Sequence, residues 1–191
     1  MAKLRIEGFL YLAHFMACIP IANWLIGHVG STCVPAGPCL IAVAPGLTAP
    51  SGVLMVGLAL VLRDLVQRRL GRVWSVGAIT VGAVLSGAIA PPALVMASAL
   101  AFLFSETADF LVYTPLQDRR FVTAVVASSM AGLVVDSVMF LWLAFHSLEF
   151  LWGQVVGKTW MVVASLPFIY WLRARDGRAA APDPAQSRGA A

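Results

Sequence analysis

Six apolar runs, separated by short charged or proline-rich clusters, dominate this chain and leave it few ways to fold. They lie at roughly 8–27, 51–69, 74–90, 92–114, 121–145 and 154–172. A helix that crosses a bilayer needs roughly 20 mostly apolar residues, because each residue adds about 1.5 Å against a hydrocarbon core of about 30 Å. Charged residues make up only 12% of the 191, against 60% hydrophobic. A soluble domain carries about twice that charged share. Strands of a membrane barrel would alternate apolar and polar residues, and these runs do not. The first run is too long for the apolar core of a secretory signal and lacks a cleavage site, so it reads as a mature helix. The expected fold is therefore an all-α integral membrane protein, one six-helix transmembrane domain over 8–172. A short N-terminus (1–7) precedes it, and a small, polar tail (173–191) follows and is expected to be disordered.

The basic residues are distributed by side rather than by patch. Lys3 and Arg5 precede the first run, Arg68, Arg69 and Arg72 follow the second, Arg119 and Arg120 follow the fourth, and Arg173, Arg175 and Arg178 follow the sixth. The alternate connections, 28–50, 90–92 and 146–153, hold no Lys or Arg. The net charge of +4 is thus a topology signal and not a nucleic-acid footprint. Under the positive-inside rule both termini are cytoplasmic, which an even number of spans requires.

Segment 34–50 is apolar but broken by Pro35, Pro38, Pro45 and Pro50. Proline removes a backbone donor and interrupts a helix, so this stretch should not span unaided. It reads either as a lid or re-entrant element over a site or as an ordinary apolar outer loop. Cys33 and Cys39 lie beside or within it, where a disulfide is chemically allowed but not fixed by spacing, while Cys18 reads as a small apolar filler in the first span. Ala78, Gly82, Ser86 and Ala90 recur every four residues, a pattern of close helix packing, and Ala13 and Ala17 form a similar pair.

Charges inside the runs carry the functional information. A charged group near the bilayer centre costs on the order of 2.5–3.5 kcal/mol on insertion scales, so such residues pair or face a cavity. Here they are Arg63 and Asp64, Glu106 and Asp109, Asp136, and Lys158, with the polar Asn23 in the first span. Counting along the helices sets Asp136 and Lys158 at compatible heights for a salt bridge. Glu106 and Asp109, three residues apart, project from one face and repel unless a cation, proton or donor lies between them. Arg63 and Asp64 could supply partners as a structural or gating pair, and Asp64 with Arg68 fits a local surface pair. No phosphate-binding glycine loop, zinc-protease histidine pair or serine elbow is present. No enzyme, metal site or cofactor is expected.

The strings LRDLVQRRLGR (62–72), SETADFLVYTPLQDRR (105–120), AVVASSMAGLVVDSVMFLWLAF (124–145) and GQVVGKTW (153–160) occur in that order. Together they resemble the queuosine-precursor transporters, also called the vitamin uptake transporter family. The resemblance begins near Asn23 and Trp24, and segment 34–50 is its least similar part. It implies a multi-pass carrier of the bacterial inner membrane, with a fold similar to the substrate-binding subunits of energy-coupling-factor vitamin importers. The implied substrate is a 7-deazaguanine base: the 7-cyano or 7-aminomethyl compound, or queuine, destined for queuosine in tRNA. For such a base, Glu106 or Asp136 would read the guanine-like edge and Asn23, Gln154 and Lys158 would donate to the carbonyl or the 7-substituent. Asp109 would support the site or carry a coupling proton. Trp160, with Trp24, Phe102, Phe140 and Trp142, would offer stacking surfaces. Partners are the nucleobase and the lipid bilayer, with homodimerisation left open. The alternatives are a substrate-binding subunit that needs an energising complex, or a membrane-embedded enzyme.

Overall fold

A computed structural model describes residues 2–34, 37–90 and 92–180. It contains α1 (Ala2–His28), α2 (Val53–Leu70), α3 (Arg72–Ile89), α4 (Val95–Leu116), α5 (Phe121–Phe145) and α6 (Leu151–Ala180). A 3-10 turn at Pro92–Leu94 leads into α4. Five of these helices, all but α2, are long and apolar enough to cross a membrane. Large apolar side chains such as Val84, Met96, Leu111 and Trp152 stand on their outer faces. Apolar surface of this extent marks a lipid-facing protein rather than a water-soluble one. The chain is a multi-pass membrane protein.

α2 differs because of where it sits. It carries Arg63, Asp64, Arg68 and Arg69, yet it packs against all five other helices. Ten of its residues are buried, Arg63 and Asp64 among them. A helix shielded by its neighbours meets protein instead of lipid, so its sequence answers to packing and pairing and not to hydrocarbon. Leu60, Val61 and Leu65 of α2 join Tyr113, Val125, Leu133, Val162 and Ile169 in one apolar core. On its other side Ala59 packs with Phe15, Cys18 and Ala78. Gly57 sets the α2–α6 approach: a Cβ there would lie 2.6 Å from the Lys158 carbonyl oxygen. The small-residue stripe of α3 faces inward as packing, with Ala78, Gly82, Ser86 and Ala90 all buried.

The connection from α1 to α2 corrects the all-α expectation. It forms a three-stranded antiparallel sheet of β1 (Thr32–Cys33), β2 (Cys39–Ala44) and β3 (Leu47–Pro50), in that order. Its hairpin turns at Pro45–Gly46, where Gly46 adopts φ 73°, a conformation that glycine alone reaches without strain. Leu40 pairs with Pro50 and Ile41 with Ala49, and a bulge follows Ala42. A disulfide joins Cys33 to Cys39, residues directly opposite in the β1–β2 ladder. The Ser51 hydroxyl donates to the Leu25 carbonyl (2.7 Å) and the Trp160 indole donates to the Val43 carbonyl (3.0 Å), which fastens this region to α1 and α6. The segment thus caps one end of the bundle; Pro35 and Ala36 lie outside the described residues.

The opposite end holds both helical termini. Glu7 of α1 accepts from Arg175 of α6 (2.6 and 2.9 Å) and lies 3.3 Å from Arg69 of α2. Asp176 accepts from Arg68 and Arg69. The tail expected to be disordered from residue 173 is therefore helical as far as Ala180, pinned through Arg175 and Asp176; residues 181–191 lie outside the described residues. Arg68 spends its charge on Asp176, so the expected Asp64–Arg68 pair does not form.

Candidate functional site

A cavity with about 750 Å³ of empty space, its open mouth included, lies among the six helices beneath β3. Every helix contributes to its wall, and β3 adds Pro50. Ile19, Met55, Phe102 and Phe140 supply apolar surface; Asn23, Ser86, Ser98, Ser105, Glu106, Asp136, Gln154 and Lys158 supply polar groups. A mostly apolar recess with a few convergent polar groups is the usual form of a small-molecule site.

On one side Lys158 organises the wall. Its ammonium donates to Asp136 Oδ2 (2.6 Å), Ser137 Oγ (2.8 Å) and Gln154 Oε1 (2.5 Å). An ammonium has three N–H donors and no acceptor, so all its donors are engaged here. Two consequences follow for the neighbours. Gln154 must turn its oxygen toward Lys158, which frees its amide N–H groups for other acceptors. Asp136 keeps Oδ1, which accepts only a long bond from Ser105 (3.5 Å). The salt bridge expected from helix depth is present, and Lys158 is a holder of Asp136 and Gln154 instead of a free donor.

Behind the cavity lies a second cluster. The Arg63 guanidinium contacts Asp64 (2.7 Å), Glu106 (3.4 Å) and Asp109, and donates to Gln67 (3.0 Å). The Phe110 and Tyr113 rings lie 5.9 and 5.5 Å from it. Gln67 in turn donates to Thr114, and Ser128 of α5 donates to Asp64 (2.8 Å). Arg63, Asp64 and Asp109 are completely buried. Glu106 belongs to both clusters, because it lines the cavity and also faces Arg63.

Of the residues nominated from sequence, Asn23, Glu106, Asp136, Gln154 and Lys158 converge on the cavity. Asn23 donates one amide N–H to the Ile19 carbonyl (3.0 Å), which leaves its second N–H and its oxygen for the cavity. Asp109, Arg63 and Asp64 stand behind the wall. Trp160 does not reach it: more than half exposed, it packs outward against β2. Trp24 and Trp142 are likewise on the outer surface, so the aromatic wall is Phe102 and Phe140. Ser86, Ser98 and Ser105 also line the cavity, though the sequence does not single them out as site residues. Ser86 belongs to the four-residue stripe of α3, which read as packing, and helical serines carry no depth signal since they often bond their own backbone.

The profile of a family described as "Putative vitamin uptake transporter" matches residues 88–172. No curated protein and no solved structure matches the chain. The matched stretch takes in α4, α5 and α6 as far as Leu172, and so includes Glu106, Asp109, Asp136, Gln154 and Lys158. Asn23, Arg63 and Asp64 precede it.

Proposed function

We propose, from the premise that the chain belongs to the vitamin uptake transporter family through residues 88–172, that it imports a 7-deazaguanine base across the bacterial inner membrane. In this reading all six helices span, α2 shielded by the other five. Both termini face the cytoplasm, on the side of the Arg- and Lys-bearing connections, and the fold is of the energy-coupling-factor binding-subunit type. The imported base would serve queuosine formation in tRNA.

The observation that carries the substrate class is the pairing of acceptors with one oriented donor around an apolar recess. Glu106 and the free Asp136 oxygen accept; the Gln154 amide, turned by Lys158, donates. A guanine-like edge offers a ring N–H and an amino group side by side, which a carboxylate accepts together. Its carbonyl needs a donor, the role suited to Gln154. Phe102 and Phe140 suit a flat bicyclic ring.

A screen of the purified chain against guanine, the cyano base, the aminomethyl base and queuine tests this reading. At a hundredfold excess over Kd a ligand adds about 2.7 kcal/mol. For a chain of this length that raises the melting temperature by roughly 5–10 °C. At least one deazaguanine should do so, and no shift with any of them would contradict the assignment.

A second reading has one observation in its favour. Ala13 and Ala17 are exposed on the outer face of α1, while Phe15 and Cys18 are buried. A smooth outer stripe of this kind suits docking to another membrane helix, as in a binding subunit of a larger importer. Uptake into liposomes by the purified chain without a partner separates the two.

A further inference from the structure

The Arg63 cluster holds more acid than it can balance. Three carboxyl groups, those of Asp64, Glu106 and Asp109, surround one guanidinium, a formal excess of two negative charges if all are ionised. Asp64 and Asp109 are 0% exposed and have no water to screen them, and Glu106, 2% exposed, meets solvent only through the cavity. Hydrogen bonding does not make up the difference. Ser128 serves one Asp64 oxygen, but Asp109 Oδ1 meets the same Arg63 nitrogen that Asp64 Oδ1 contacts, so the two acids share one donor group. The Tyr113 hydroxyl, in the same core, is buried without a partner.

The surroundings offer little further compensation. α5 turns Ser128 toward the cluster, and its one acid, Asp136, is committed to Lys158 of α6. α1 contributes the Cys18 thiol on the cavity side. The single charge of α3, Arg72, lies at that helix's first residue, at the termini end. On α2 the next charges, Arg68 and Arg69, are taken by Asp176 and Glu7. A buried group of acids in excess over cations is relieved by a proton on one of them.

We propose that Asp64 and Asp109 form a shared proton-binding site, whose occupation cuts the excess from two negative charges to one and so favours an ionised Glu106 facing the cavity. The proton sits on a carboxylate oxygen of the pair and makes a carboxylic acid, which can donate to the oxygen of its neighbour. Loading this site favours the charged Glu106 that accepts substrate N–H groups, so protonation and substrate binding promote each other. By linkage the promotion is reciprocal, and in a carrier it is the condition for moving a proton and a substrate together. The link to a nucleobase rests on the function proposed above; the proton site does not.

Infrared spectroscopy of the purified full chain reads the proton without any substrate, because a carboxylic acid and a carboxylate absorb at separate frequencies. At neutral pH the wild-type protein should show a protonated carboxyl. Its intensity should fall in Asp64→Asn and in Asp109→Asn and vanish in the double variant, where Arg63 and Glu106 balance each other. Absence of the band in wild-type protein at neutral pH overturns the proposal and requires no variant to fold. A band undiminished in both single variants overturns it as well. Protein that shows the band but binds none of the four bases refutes the nucleobase reading and leaves the proton site standing.

Discussion

Glu106→Gln is expected to abolish uptake of a labelled 7-deazaguanine, the substrate class proposed above, while the protein still reaches the membrane at normal abundance. The side chains are nearly the same size, so the cavity wall keeps its shape. What changes is the hydrogen-bonding inventory: the amide has one acceptor oxygen and sets two donors against the substrate's own N–H groups. Hydrogen bonds to a charged partner contribute about 1.5–3 kcal/mol each, and an unmatched buried donor adds its own penalty. A loss of about 3 kcal/mol or more corresponds to over a hundredfold in Kd. The fold should tolerate the change because Arg63 keeps its contacts to Asp64 and Asp109. Uptake per membrane-embedded molecule is the readout. Near-normal uptake in this variant would show that Glu106 does not read the base.

Arg63→Met should fail at an earlier stage, before function is reached. Arg63 is completely buried and, among the described residues, is the only cation in contact with Asp64, Glu106 and Asp109. Methionine fills much of the volume but leaves three buried carboxyls without a counter-charge. Removing one partner of a buried ion cluster costs about 3–5 kcal/mol, a large part of the 5–15 kcal/mol that holds a typical domain together. Most of the variant should be lost from the detergent-extractable, monodisperse fraction. Arg63→Lys should fall between, since an ammonium keeps the charge but lacks the planar fork that reaches several partners at once. Wild-type yield from Arg63→Met would mean that the cluster is already neutral without arginine.

The parts of this architecture that were legible in the sequence are those fixed by length and depth. The apolar run 121–145 coincides with α5 because Arg120 before it and His146 after it end the run where the helix ends. Asp136 and Lys158 could be paired by counting rises along two antiparallel helices, and they meet at 2.6 Å. Glu106 and Asp109 do share one side of α4, both in contact with Arg63. Rotation about a helix axis was far less legible. Trp160 and Phe140 both sit in runs that are apolar nearly all round, so nothing in the pattern says that one faces outward and the other the cavity. Asp64 fitted an i, i+4 surface pair with Arg68, but α2 is enclosed, which sends Asp64 inward to Ser128 and leaves Arg68 to a residue 108 positions away. The sheet was hidden for another reason. Its apolar strands continue the hydropathy of the adjoining spans, and the Pro45–Gly46 turn that could have marked a hairpin is one of four prolines that read as helix breakers.

Import by this chain alone is the central claim, and uptake into liposomes tests it most directly. Purified protein reconstituted without any partner should accumulate labelled 7-deazaguanine in a saturable manner, and excess unlabelled cyano or aminomethyl base should compete. Liposomes that take up no more label than protein-free ones, although the same preparation binds the base in detergent, would contradict it and identify the chain as a binding subunit awaiting an energising partner.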